Sequence, residues 1–229
     1  MDYQLIRSKR KTIAISFDEN CQLIVKAPIW VGKSRIEAFL SEKAEWIEAT
    51  RTRLLRAKEE ASKIRIKLEN GDVLYFLGEK RNLSVIREER IRGKVVSSMG
   101  RIVLHVPYEA DYAYKREQLE RWYRKEAQQM IAEKAAEFAG RLKVSYEDIR
   151  IKDQKSRWGS CSSKGNLNFN WRIIMAPETV CDYVIIHELC HLVYLNHSEK
   201  FWSLVESICP EYKQYKKWLK DYGSRLYPF

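Results

Sequence analysis

The sequence predicts an α+β protein, on three observations. Short segments alternating apolar and polar residues, separated by turn-forming residues, fill much of the first 110 positions. Two long stretches repeat apolar residues at helical spacing, and beyond Pro177 the chain reads as helices alone.

The elements follow in order. KTIAISF and QLIVKAP flank the turn-like DEN and predict a hairpin. A long helix comes next: Ser34 and Glu37 fit a capping box, and Ile36, Phe39, Leu40, Lys43, Ile47, Thr50 and Leu54 mark a mostly apolar face. IRIKLENGDVLYFLG reads as two strands around Asn70-Gly71, a strong hairpin dipeptide. NLSVIRE and GRIVLHVP supply further strands, the last ending at Pro107. A second long helix is expected from Lys115 to about Gly140, with Leu119, Tyr123, Met130, Ile131 and Phe138 inward. These boundaries suggest a β-rich N-terminal part over residues 1–110 with one long helix, and a second domain over 111–229.

From about Val144 the texture changes. IRIKDQKSRWGSCSSKGNLNFNWRIIMAP predicts a strand, a hairpin turning near Lys164-Gly165, and a strand leading out to Pro177. Leu167 and Phe169 alternate with Asn166, Asn168 and Asn170, so one face is apolar and the other polar. The asparagine face is either solvated or, beside an active site, able to pair with an extended substrate. Helices then cover ETVCDYVIIHELCHLVYL, SEKFWSLVESI and EYKQYKKWLKDYG, the last two separated by Pro210.

The formal net charge of +11 favours anionic partners without selecting one, and much of it sits on helices among acidic neighbours. No apolar run approaches the roughly 18 residues of a membrane span, and no apolar stretch of signal-peptide length follows the basic N-terminus. The five cysteines form no CxxC pair, which argues against a disulfide framework or a Cys-rich metal site. A cytoplasmic protein with reduced thiols is expected.

HELCHLVYLNH, residues 187–197, holds three of the four histidines. His187 and His191 are four apart, so on a helix their imidazoles project from one face and can reach one tetrahedral zinc. Glu188 points about 100 degrees further round, where it can lie beside the metal without ligating it and take a proton from bound water. Asn196 tolerates the left-handed conformation of a helix C-cap, and a turn there would swing His197 toward the metal. Ser198 can then cap the next helix, with Glu199 in its first turn. Glu206 and Glu211 compete as the third ligand, and His197 is favoured for its nearness and its own turn. Cys190 points off the ligand face, and His105, within an alternating strand, reads as structural.

KSRWGSCSSKGNLNFNWRIIMAP followed by CDYVIIHELCHLVYLNHSEKFW closely resembles the YgjP-like metallopeptidase family, with its RWGSC hairpin, HELxH helix, and NHS turn before Phe-Trp. The resemblance implies a C-terminal zincin-like domain, with a small sheet and the HExxH helix, related to SprT-like and minigluzincin domains. It implies one zinc per chain on His187, His191 and His197, with Glu188 as catalytic base. Tyr194 stands where metzincins carry a turn glycine, which separates this chain from them.

A zinc-dependent peptidase acting on peptide or protein is therefore the leading expectation. Arg157, Asn168, Asn170 and Tyr194 are candidates for substrate binding or transition-state stabilisation. The alternative is a metal-dependent hydrolase of a non-peptide anion such as a nucleotide phosphoanhydride, motivated by the positive charge but lacking a glycine-rich phosphate loop. A DNA-associated SprT-like protease is a third reading, though no DNA-reading motif is present.

Overall fold

The structure, a computed structural model, describes residues 2–18, 20–63, 66–98, 100–154 and 156–229, with the side chains of all of these except 57–63. The chain divides into two compact units, Met1–Arg65 and Ile66–Phe229. The division falls well before the expected boundary at 110, because the strands after residue 66 share one core with the long helix that follows them.

The first unit holds a three-stranded sheet and two helices. Strands β1 (Gln4–Ser8), β2 (Ala14–Phe17) and β3 (Leu23–Pro28) lie in the order β1-β3-β2. The predicted hairpin is β2–β3, pairing Phe17 with Leu23. Its turn is held by the Asp18 carboxylate, which accepts from the backbone N–H of Asn20 (2.8 Å) and Gln22 (2.7 Å). The single long helix expected here is broken in two, α1 (Lys33–Glu42) and α2 (Ala44–Lys63), because Lys43 leaves the helical range at φ −99°, ψ 9°. Gly32, not Ser34, occupies the N-cap, and no side chain caps it. Ile36, Leu40 and Ile47 nonetheless face inward as predicted, packing with Leu23, Val25, Ala27 and Val31.

The second unit begins with a four-stranded sheet of β4 (Val73–Phe76), β5 (Glu79–Arg87), β6 (Lys94–Ser98) and β7 (Arg101–Val106), in the order β4-β5-β7-β6. The Asn70-Gly71 hairpin is displaced. Ile64 and Arg65, the first residues of its expected leading strand, lie outside the described residues, and residues 66–69 form no strand. Asn70 instead spends its side-chain carbonyl on the backbone N–H of Val85 (2.6 Å), fastening the turn against β5. The reversal between β4 and β5 occurs at Leu77-Gly78, both at positive φ (50° and 79°), as a two-residue hairpin requires.

Helix α3 (Tyr112–Leu142) is 31 residues, about 46 Å long. The Asp111 carboxylate caps it by accepting from Tyr114 N–H at 2.8 Å, so it starts earlier than Lys115. Leu119, Tyr123, Ala127, Ile131, Ala135 and Ala139 recur at intervals of four and are buried, and the alanines let neighbouring elements approach closely. The helix runs through Gly140 and ends where Lys143 takes the left-handed conformation (φ 56°).

A second three-stranded sheet comprises β8 (Asp148–Lys152), β9 (Gly159–Cys161) and β10 (Asn166–Asn170), in the order β8-β10-β9. β9 and β10 form the predicted hairpin, with Gly165 at φ +78° in its turn, and β8 runs parallel to β10. The asparagine strand is thus central and paired on both sides, so its ladder is not open to an extended substrate; β8 and β9 are the edges. After β10 the chain forms a 3-10 turn over Trp171–Met175 rather than continuing as a strand. The Leu77-Gly78 tip docks there, Leu77 N–H donating to Ile174 O (2.8 Å) and Gly78 N–H to Met175 O (3.2 Å).

Pro177 then opens α4 (Glu178–Cys190), buried on nearly all sides and packed against α3. Helices α5 (Glu199–Ile208) and α6 (Tyr212–Tyr222) complete the unit. Among the described residues there are thus six α-helices and three small sheets. No helix among them is long and apolar enough to cross a membrane.

Candidate metal centre

Helix α4 carries His187 and Glu188 into the interior, and ends at Cys190 with His191 in the C-cap position at φ −68°, ψ −15°. The helix therefore stops earlier than the sequence suggested. Tight turns carry the chain onward, with Val193 and Tyr194 N–H both donating to Cys190 O at 3.1 and 3.0 Å. Asn196 is absent from the positive-φ residues, so the expected left-handed turn does not form there. Its side-chain carbonyl instead accepts from Ser198 N–H at 3.3 Å, shaping the bend before α5. Ser198 occupies the N-cap of α5 as expected, although its hydroxyl makes no capping bond.

This route brings His187, His191 and His197 together, with one ligand atom of each within 4.8 Å of the others. The Nε2 atoms of His187 and His197 are 3.1 Å apart. A tetrahedral zinc with Zn–N of about 2.0–2.1 Å places its ligand nitrogens about 3.4 Å apart, close to that spacing. His191 Nδ1 lies 3.0 Å from Tyr194 O. A carbonyl only accepts, so Nδ1 carries the proton and the Nε2 lone pair is free for a cation.

Burial foremost, and then the positive charge of His191, His197 and Lys216, pushes the His187 pKa down to about 3. Burial and the same kinds of neighbour lower His197 as well. Both rings are therefore neutral at physiological pH, the form that ligates a metal. His187 Nδ1 is buried without a hydrogen-bond partner. Ring packing also fixes these imidazoles: Phe201 stacks on His191 (centroids 4.5 Å, 26°), which its bond to Tyr194 O holds as well, and Trp202 stacks on His197 (5.4 Å, 23°). Three imidazoles converging in this way fit a divalent cation.

Glu188 is only 5% exposed. Burial raises its pKa to about 8, against the opposing pull of the Arg157 charge and a hydrogen bond from the Cys161 backbone. Gly159 of β9 passes directly over it: a Cβ there would lie 2.6 Å from Glu188 Cγ. Two cavities meet at Gly159, His187 and Glu188. One, of about 270 Å³, extends along Ser160, Cys161, His191, Leu195 and His197. The other, of about 220 Å³, is lined by Arg157, Trp158, Tyr183, Val184 and Leu219.

The remaining predicted residues divide. Arg157 lines the second cavity. Asn168 and Asn170 line neither cavity. The Asn168 amide donates to Ser160 Oγ at 3.4 Å. Asn170 is fully buried: it donates to Gln154 O (2.6 Å) and to Tyr227 Oη (3.2 Å), and accepts from Arg172 N–H (3.1 Å). Tyr194 contributes its backbone carbonyl to His191 and lines neither cavity. Glu206 is paired with Lys213 and Glu211 accepts from Tyr215 Oη, and neither belongs to the histidine cluster. His105 pairs with Glu88 at 3.0 Å on β7. Cys190 is fully buried in the core. Sequence reasoning passed over Gly159, Trp158, Tyr183 and Leu219; the small residue between Trp158 and Ser160 was the one available signal.

Converging imidazoles with a buried carboxylate beside them define the class, a metal-dependent hydrolase. The family model of the YgjP-like metallopeptidase domain matches residues 11–222, and the chain belongs to that family. It is accordingly a zinc-metallopeptidase-like hydrolase, and the family implies a metal ion and peptide or protein substrates. A crystal structure of the metallopeptidase zymogen of Pyrococcus abyssi abylysin is similar to part of the chain, at 24% identity, over 40% of this chain and 93% of that one, with a TM-score of 0.37. No curated protein matches the chain.

Proposed function

We propose that this chain is a zinc-dependent peptidase of zincin-like architecture, with zinc held by His187, His191 and His197 and Glu188 as the proton carrier. The observation behind this reading is the convergence of three imidazoles within 4.8 Å beside a buried carboxylate. Bound zinc supplies a Lewis acid that polarises the scissile carbonyl and lowers the pKa of water. In its ionised form, which a cation held beside it by the histidines would favour over the protonated form that burial alone favours, Glu188 takes a proton from the attacking water at its carboxylate and passes it to the leaving amine nitrogen. The backbone N–H of Cys161 and the glycine at 159 hold that carboxylate in place. Arg157, on the same cavity wall, is the substrate-facing cation, and Asn168, Asn170 and Tyr194 act by shaping the hairpin and the His191 turn. We place the protein in the cytoplasm, a reading supported by its five free cysteines.

The test is direct. Zinc should co-purify at about one per chain. Glu188→Gln should keep the metal and lose hydrolysis, and normal turnover by that variant would refute the mechanism. Peptide libraries and nucleoside triphosphates assayed side by side complete it. Chelator-sensitive activity on nucleotides alone would replace peptide with phosphoanhydride as the substrate.

A further inference from the structure

The two cavities that meet at Glu188 differ in chemistry. The first is walled by the metal-site histidines themselves. The second has aromatic and aliphatic walls from Trp158, Tyr183, Val184 and Leu219, and among the described residues its one Lys or Arg is Arg157. Its volume of about 220 Å³ is below the roughly 300–1,000 Å³ of small-molecule sites, so it suits one side chain rather than a whole nucleotide.

Arg157 is free to meet a ligand. Among the described residues it has no carboxylate within ion-pair distance, whereas arginines elsewhere in the same unit are occupied: Arg150 by Asp148, Arg172 by Asp153 and Arg124 by Glu120. Glu188, the one acid on the cavity wall among the described residues, lies beyond ion-pair range of it. A planar guanidinium with five donors over an apolar slot matches a carboxylate carried on a hydrocarbon stem.

We infer that this cavity selects the substrate residue beside the scissile bond, and that it takes a residue that presents a carboxylate to Arg157 with its hydrocarbon part against the apolar walls. The inference rests on the peptidase reading above. The carboxylate has two sources, an acidic side chain within a peptide or the α-carboxylate of a C-terminal residue, and both present the same group to Arg157.

The experiment uses the zinc-loaded full-length protein and matched peptides: glutamate against glutamine at one internal position, and a free against an amidated C-terminus. One carboxylate member of a pair should be cleaved at least ten-fold better in kcat/KM, with the difference in KM; the pair that responds identifies the source. Arg157→Gln should abolish the preference through KM, so that carboxylate and neutral peptides are cleaved alike. Equal cleavage of all peptides by the unaltered protein overturns the inference. So does a uniform fall in kcat on every peptide in Arg157→Gln, which would assign the guanidinium to the transition state. If no peptide is cleaved although zinc is bound, the peptidase reading fails, and binding decides the pocket separately. Zinc-loaded Glu188→Gln titrated calorimetrically with the same peptides should bind the carboxylate member at least ten-fold more tightly, and equal affinities overturn the assignment.

Discussion

Gly159 and Glu188 occupy contiguous space: a Cβ on Gly159 would lie 2.6 Å from Glu188 Cγ, 2.7 Å from Oε1 and 2.8 Å from Cδ. Gly159 is not among the positive-φ glycines, so lack of room, not backbone conformation, demands glycine here. Those distances are shorter than any real Cβ contact, and Glu188 is pinned within a buried helix. Gly159→Ala therefore has to displace either the carboxylate or β9. Misplacement of a catalytic group by about 1 Å costs on the order of 100-fold in rate. Gly159→Ala should accordingly lose about that much peptide hydrolysis while retaining zinc, measured as kcat against metal content. Wild-type turnover would show that Glu188 has slack.

What the sequence revealed and what it hid follow from the range of each interaction. His187, Glu188 and His191 were legible because helical period alone relates them, and α4 carries that register down to His191 at its C-cap. Asn196 was misjudged because the helix stops at Cys190 and successive tight turns replace the single left-handed one. Asn170, expected on a face either solvated or turned to substrate, is instead closed over by Gln154 and Tyr227 from distant parts of the chain. The fit of Gly159 over Glu188 joins residues 29 positions apart and has no local signature. The Asn70-Gly71 turn chemistry was recognised correctly, since Gly71 takes φ +91°, yet the reversal between strands lies at Leu77-Gly78.

The consecutive aromatics of α5 should be separable by experiment. Phe201 is fully buried and stacks on His191, whereas Trp202 is half-buried, stacks on His197 and carries Lys216 Nζ 4.2 Å from its ring centroid. Phe201→Ala should cost about 3–5 kcal/mol of stability through the cavity it leaves, and weaken zinc binding as well. Trp202→Leu keeps apolar volume and should cost less stability, yet it removes the stack that orients His197. Loss of such outer support weakens metal sites about 10–100-fold. Competition with a chelator and denaturant melts on the two variants measure this; unchanged zinc affinity in Trp202→Leu would mean the ring merely fills space.

Gly78 joins the four-stranded sheet to the start of α4. A Cβ there would lie 2.8 Å from Pro177 Cα, and its φ of +79° is strained for any other residue. Both effects oppose substitution, and the neighbour is backbone that cannot swing aside. Gly78→Ala should destabilise the second unit by about 1–3 kcal/mol, the cost of one strained residue, before any loss of the tip's bonds to Ile174 and Met175. Chemical denaturation monitored by tryptophan fluorescence tests this, and an unchanged midpoint would show that the tip can undock freely.

Lys115 is the sharpest electrostatic case in the core. Its side chain is 3% exposed, sits one turn into α3, and bonds the Glu69 carboxylate, which is itself 51% exposed. The exposed acid thus neutralises a buried cation, and the two members of the pair are not equivalent. Glu69→Ala leaves an ammonium desolvated without its counter-ion, for which about 3–5 kcal/mol is the expected loss. Arg87, 3.8 Å from the same carboxylate, would add like-charge repulsion at the vacated position. Lys115→Met removes the buried charge along with its partner's task and keeps a linear apolar stem, so it should cost far less or nothing. Urea denaturation of the two single variants and the double variant gives the coupling. If Glu69→Ala proves no more costly than Lys115→Met, then the ammonium reaches water in solution, and the pair acts as an ordinary surface ion pair of about 0–1 kcal/mol.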